Sequence, residues 1–481
     1  MRIALILLFL LALASVPGSI FPQRGTSPLR VNEFLKDNPT SGPILDQLYM
    51  FDVFASPWFA SIYLLLFISL MGCVLPRAVE HYKEMRSYPP AAPKNLSRLP
   101  VHLQWNSNTP AEQAILETET AWKKRGWRVR TGDDWISAEK GYSRETGNLL
   151  FHLSLLVLLI AVGVGGVMGF RGTVIVREGS GFANNVTQYD TFTSGRNYSA
   201  DKLPPISFKL ENFISSFQRG GQQNGAPREF YADLLVKDDP SATPRAFRVE
   251  VNYPLRTAGI TVYLVGHGYA PEFTVRDASG NLLWQDAAVF LPQDAGFTSS
   301  GVVKIPDTVP QLGLQGYFLP TVSADFSNGP VSEFPAADDP GVYISAWQGD
   351  LGLDSGFPQS VYRLDTTNMK RIGIEELAPG ETWTLPNSGV TVEFTGYRQW
   401  ATFAITRDPA KGWALGAAIA AIAGLSLSLL IPRRRAWLRV TPAAGGGNLF
   451  EVAGLSKTEA PGLADEISHL AELVNTKKEN S

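Results

Sequence analysis

The stretch "GNLLFHLSLLVLLIAVGVGGVMGF", residues 147–170, is apolar almost from end to end, and about five residues into it sits one imidazole, that of His152. Roughly 18–20 apolar residues suffice for an α-helix to cross a bilayer core of about 30 Å, so the stretch predicts a membrane span. Windows at 3–20, 57–75 and 413–431 pass the same test. With four crossings, Arg2, Arg77, Lys83, Arg86, Lys140, Arg144, Arg433, Arg434, Arg435 and Arg439 all fall on one side. The excess of Lys and Arg in short loops marks that side as the cytoplasm, with both termini inside. The opening "MRIALILLFLLALASVPGS" also has the form of a secretory signal, with Ala12, Leu13 and Ala14 as a cleavage site. Its length and Pro17 favour a retained helix, and cleavage would leave the other three orientations unchanged.

These spans divide the chain into a first span (1–20), a short extracytoplasmic segment (21–56), a second span (57–75), a cytoplasmic loop (76–147), a third span (148–169), an extracytoplasmic domain (170–411), a fourth span (412–432) and a cytoplasmic tail (433–481). The loop reads as a small α+β unit, a helix in "PAEQAILETETAWKKRG" followed by strands in "WRVRT" and "DWISAEK". The tail reads as a strand or two and an amphipathic helix near 464–474. In the extracytoplasmic domain, Phe247, Val249 and Val251 alternate with Arg248, Glu250 and Asn252, the pattern of a half-buried strand. "EFTVRDASGNLLWQD" reads as two strands across a turn, and "GVTVEFTGYRQWATFAITRDPA" as another hairpin-like stretch. The expectation is a polytopic α-helical membrane protein of four spans with a large all-β extracytoplasmic domain, sandwich or barrel-like, between spans three and four.

Composition excludes several chemistries. Cys73 is the only cysteine among 481 residues, which rules out an intramolecular disulfide, a CxxC redox pair and a CxxCH haem attachment. His81, His102, His152, His267 and His469 make no metal-ligand spacing. No phosphate-binding loop or nucleophile elbow is present, and no catalytic residue is assigned. The basic "WKKRGWRVR" reads as a solvated or lipid-headgroup face and not as a nucleic-acid site. The 170–411 domain carries 26 Asp and Glu against 19 Lys and Arg, so the outer face is acidic while the inner segments are basic.

An imidazole inside a membrane helix is costly and becomes a functional-site hypothesis when a partner can be named. An interhelical hydrogen bond near the cytoplasmic end is one reading of His152. A proton relay is poorly served, because the interiors of the four spans hold no Asp, Glu, Lys or Arg. A neutral imidazole ligating a metal or haem fits an apolar wall, and Leu156, Leu159, Gly163 and Gly166 share its helix face. One histidine gives one axial ligand, so a bis-histidine site would need a second chain. His267, between glycines near an expected strand end, is open to a packing role or to a role as a metal ligand.

Four stretches carry a resemblance: "ALASVPGSIFPQR" (12–24), "FDVFASPWFASIYLLLFISLMGCVLPR" (51–77), "GYSRETGNLLFHLSLLVLLIAVGVGGVMGFRG" (141–172) and "VEVNYPLRTAGITVYLVGHGY" (249–269). Together, and in this order, the chain resembles the ResB family of cytochrome c biogenesis proteins. The resemblance implies a bacterial cytoplasmic-membrane subunit of the system II cytochrome c synthase. Such a subunit works with a CcsA-type membrane protein to move haem across the membrane and attach it to the CXXCH thiols of apocytochrome c. His152 then looks like the family's haem-ligating histidine, with haem b as a transient cofactor shared with the partner, which supplies the second axial ligand. The chain would be a non-catalytic or co-catalytic subunit, with thiol reduction left to other proteins of the pathway. Cys73 matches a family cysteine and reads mainly as a packed small residue. Only Met1 and Arg2 precede the first span, fewer than the family leads one to expect. The competing expectation is a four-span membrane anchor that displays an envelope β-domain for protein or polymer binding.

Overall fold

The computed structural model describes residues 2–475 except 25–27, 324–326, 328, 354–360, 387, 444–445 and 457–461. Two compact units make up the chain, Met1–Gly163 with Ala410–Ser481, and Val164–Pro409.

Among the described residues, four helices are long and apolar enough to cross a membrane: Arg2–Ile20, Pro57–Arg86, Ser143–Met168 and Lys411–Leu430. The second starts where Ser56 accepts a hydrogen bond from the Phe59 N–H (3.2 Å) and Pro57 occupies the first helical position, each a favoured N-terminal choice. It runs on to Arg86, well beyond the apolar window that ends at Leu75, and passes through Pro76. Hydropathy marks where the bilayer stops, not where the hydrogen-bond ladder stops, and a proline in such a helix removes one bond without ending it. Tyr63 of the second helix donates its O–H to the Leu159 carbonyl of the third. The third and fourth helices touch backbone to backbone: a methyl group added at Gly147 would lie 2.6 Å from the Gly424 carbonyl oxygen, the close approach small residues permit in membranes.

The same unit contains a five-stranded antiparallel sheet, in the order Val101–Ser107, Asn448–Ser456, Arg434–Pro442, Trp135–Lys140, Arg128–Thr131. The sequence treats the 76–147 loop and the 433–481 tail as separate pieces. The sheet joins them, with the tail supplying two inner strands. Ile136 and Ala138, Ala436, Leu438 and Val440, and Phe450 and Val452 alternate inward along these strands. They meet Ala114, Ile115 and Trp122 from helix Ala111–Lys124, and Leu463, Ile467 and Leu470 from helix Leu463–Asn475, each set at helical spacing.

Val164–Pro409 is β-rich. Two 17-residue strands, Ile260–Arg276 and Thr391–Arg407, pair antiparallel from Thr261↔Thr406 to Arg276↔Thr391. Each runs through two separate cores. Val262, Ala401, Phe403 and Ile405 pack with Val174, Phe208, Phe213 and Leu234, whereas Phe273, Val275, Val392 and Phe394 pack with Leu314, Phe318 and Ile344. The expected hairpin at 277–281 is present: strand Leu282–Ala287 turns back on the first long strand, and Asp277 Oδ1 accepts the Asn281 N–H (2.8 Å). The stretch around Gly396 is not a hairpin but one continuous strand. Gly396, with φ of 150°, sits beside a register shift between Glu272 and Phe273 of the partner strand, so its glycine serves a bulge and not a turn.

Candidate functional site

His152 lies about two and a half turns into the third helix. Its Nδ1 is 2.8 Å from the Asn148 carbonyl oxygen, four residues back. A carbonyl only accepts, so Nδ1 carries the proton, and in the neutral ring Nε2 is left with an exposed lone pair. That pins the tautomer from within the helix, in the way a backbone carbonyl orients a metal-ligating imidazole.

The ring borders a cavity of about 330 Å³ between the second and third helices. The second helix lines it with Cys73, Arg77, Glu80 and Glu84, spaced by four, three and four residues, together with Val74 and His81. Glu145, Asn148, Leu149 and His152 line it from the third, again on one helical face. The volume lies in the range of small-molecule sites. Cys73, expected as a packed residue, is half-buried and part of this wall.

His81 is the residue that sequence reasoning passed over. Its Nε2 meets Thr146 Oγ1 at 3.0 Å, while its Nδ1 is buried with no hydrogen-bond partner. The hydropathy window closes at Leu75, so His81 falls into what reads as a loop. The spacing that could have found it is the continuation of the Cys73, Arg77, Glu80, Glu84 stripe.

Beside the cavity stands Arg433, 4% exposed. Its guanidinium contacts Glu145 (3.0 Å), Glu84 (3.3 Å) and Glu139 (3.3 Å) and lies over the Tyr142 ring (4.5 Å). Arg435 and the Tyr142 hydroxyl also reach the Glu139 carboxylate. Burial works against the charge on Arg433, but Glu139 and Glu145 outweigh it and the pKa moves up. A planar fork shared among three carboxylates is a task for arginine. It ties the end of the second helix and the start of the third to the strand that precedes the third helix and the strand that follows the fourth.

His267 belongs to the other unit. It sits inside the long strand Ile260–Arg276, not near its end, just past a bulge between Leu264 and Gly266. Its ring stacks on Phe297 (4.7 Å) and Phe213 (5.2 Å) and approaches Phe230 (4.6 Å) and Phe217 (6.1 Å). Phe213 belongs to the first core and Phe297 packs on the second, so the imidazole marks the seam between them. Its Nδ1 is buried without a hydrogen-bond partner, and burial pulls its pKa down to about 4. The flanking Gly268 answers to packing: a methyl group there would lie 2.3 Å from the Trp400 ring. Among the described residues no three His, Cys, Asp or Glu side chains come together as a metal site.

A sequence model of the ResB-like family matches residues 1–468. Similar curated proteins include a cytochrome c biogenesis protein CcsB of Synechococcus sp. (strain RCC307), 26% identical over 98% of this chain and 94% of the relative. Another CcsB, from Synechococcus sp. (strain WH7803), is 28% identical over 69% of this chain and 72% of its own length. The cytochrome c biogenesis protein Ccs1 of Rhodomonas salina is 25% identical over 55% of this chain and 57% of its own.

Proposed function

Since the chain belongs to the ResB-like family and so has a role in cytochrome c maturation, we propose that it is the membrane subunit of a system II cytochrome c synthase, acting with a CcsA-type partner in haem transfer and attachment to apocytochrome c. The observation that carries this reading is His152: an imidazole whose Nδ1–H is held by the Asn148 carbonyl, which leaves Nε2 as its ligand nitrogen, and whose ring borders a cavity. Haem iron takes such a nitrogen as an axial ligand. Arg77 is the cation of the cavity wall and suits a haem propionate. The second axial ligand comes from the CcsA-type partner.

The flanking Lys and Arg residues put the cavity at the cytoplasmic face and the β-rich domain outside, in the cytoplasmic membrane of a bacterium. Haem is then captured from the inner side, and the acidic outer domain positions apocytochrome c. With Cys73 as its only cysteine, the chain leaves thiol reduction to other proteins of the pathway. It works as a non-catalytic or co-catalytic subunit.

The test is complementation. Deleting the gene should abolish covalent haem staining of all c-type cytochromes, and the wild-type chain should restore it. His152→Ala, at an equal membrane level, should restore less than about a tenth. A deletion strain that keeps its c-type cytochromes would return the chain to the role of a membrane anchor.

A further inference from the structure

From Asn38 to Ser56, between the first two membrane helices, the only charged residues are Asp46 and Asp52. Both turn to one guanidinium, that of Arg24, which meets Asp46 at 2.7 Å and holds Asp52 as well. The outside is left to apolar side chains. Ile44 and Leu48, one helical turn apart, are 58% and 51% exposed, and Tyr49 and Phe54 are 44% and 56% exposed. Gln47, uncharged, is exposed among them. A short helix standing in water turns its apolar face in and its charges out. Helix Gly42–Gln47 does the reverse.

These side chains are not a core left open. Phe51 and Val53 are fully buried, and the Phe51 ring packs edge-on against Phe21 and Phe34 at 6.1 and 5.4 Å. The segment therefore has a closed apolar interior and a second apolar surface outside it. A surface of that kind marks contact with a membrane or a protein.

Its position selects the membrane. Trp58, in the first turn of helix Pro57–Arg86, donates its indole N–H to the Leu48 carbonyl at 3.2 Å. Phe54 packs edge-on against Phe59 of the same helix at 5.3 Å. It also lies against the first membrane helix, where a methyl group at Gly18 would fall 2.8 Å from its ring. Leu48 and Phe54 are thus fixed where two spans enter the bilayer. Apolar side chains with Tyr and Trp among them suit that boundary.

We propose that residues 43–54 form a shelf in the membrane interface, with Ile44, Leu48, Tyr49 and Phe54 sunk between the lipid headgroups and the acyl chains. The shelf is continuous with the start of the second helix, and interfacial anchors set the tilt and rotation of a membrane helix. It therefore helps to fix the helix whose other end lines the His152 cavity. The inference stands independently of what that cavity binds.

The experiment uses the full chain in nanodiscs of phosphatidylcholine and phosphatidylglycerol. In a Cys73→Ala background, Ile44→Cys and Leu48→Cys each take a nitroxide spin label, and because both side chains are exposed the label displaces no packing. Relaxation by oxygen, which concentrates in lipid, is compared with relaxation by a water-soluble nickel chelate. Val309→Cys, at a fully exposed side chain of the β-rich unit, is the water reference, and Leu64→Cys, inside the second span, is the lipid reference. The oxygen-to-nickel ratio at both shelf sites should exceed the Val309 value by at least about threefold and approach that of Leu64. A ratio equal to that at Val309 would overturn the shelf and leave the segment in water. Low collision with both reagents would overturn it as well, and give the face to a second copy of the chain.

Discussion

The third helix gives His152 a carbonyl four residues back and open space in front. The long strand of the β-rich unit gives His267 a surround of phenylalanine rings and no hydrogen bond to its buried Nδ1. What separates them is whether one nitrogen is tied so that the other is aimed, and whether anything but a ring stands before it. By that measure His152 is built to take a ligand, whereas His267 joins two apolar cores. The surroundings differ in kind as well. The cavity is walled by ionic side chains that must balance one another, and the seam is held by ring contacts that need no balance.

Breaking the ionic side should cost most. Arg433→Met leaves Glu139, 1% exposed, with Arg435 as its remaining cation, and removes the Arg433 contacts of Glu84 and Glu145 beside the cavity. Removing one partner of a buried ion pair typically costs about 3–5 kcal/mol. The variant should therefore show a clearly lower thermal midpoint in detergent, and Arg433→Lys, which keeps the charge but loses the fork, a smaller drop.

The seam offers a sharper contrast through pH. The folded-state pKa of His267 is about 4, below the ordinary value of about 6.5. Between those values the unfolded chain binds a proton that the folded chain does not. The contribution of His267 to stability is therefore complete above about pH 6.5 and falls as the pH drops toward 4, by at most about 3 kcal/mol. His267→Phe should flatten that slope and change stability at pH 7.5 by no more than about 1 kcal/mol, because no hydrogen bond is lost. Denaturation midpoints measured at pH 7.5 and 5 would decide it: an unchanged slope would mean that other groups carry the acid sensitivity. The smallest effect belongs to Tyr63→Phe, which removes the hydroxyl that joins the second helix to the third. Interhelical hydrogen bonds in membranes average about 0.6 kcal/mol, so the midpoint should fall only slightly.

Features that a short window can measure were legible in the sequence. Apolar length gave the four spans, and a single imidazole inside one of them singled out His152. Alternation at Phe247, Val249 and the turn at 277–281 announced the β-rich domain. Features that depend on distant pairing were not. Nothing local says that Arg434–Pro442 lies beside Trp135–Lys140, nearly 300 residues earlier, and the small sheet was read as two fragments. Gly396 and Gly268 carry the same glycine that marks turns, yet one serves a bulge and the other the approach of Trp400. His81 was lost because hydropathy closes the span at Leu75 while the helix keeps its face turned to the cavity as far as Glu84.

The central claim is that His152 presents its Nε2 to haem iron. Its most direct test is the absorption spectrum of the full chain purified with its CcsA-type partner, for the wild type and for His152→Ala, before and after added imidazole. A low-spin haem spectrum that is lost or weakened in the variant and recovered with imidazole is the predicted result. Equal haem with identical bands in both proteins would contradict it and leave His152 as a helix-packing residue.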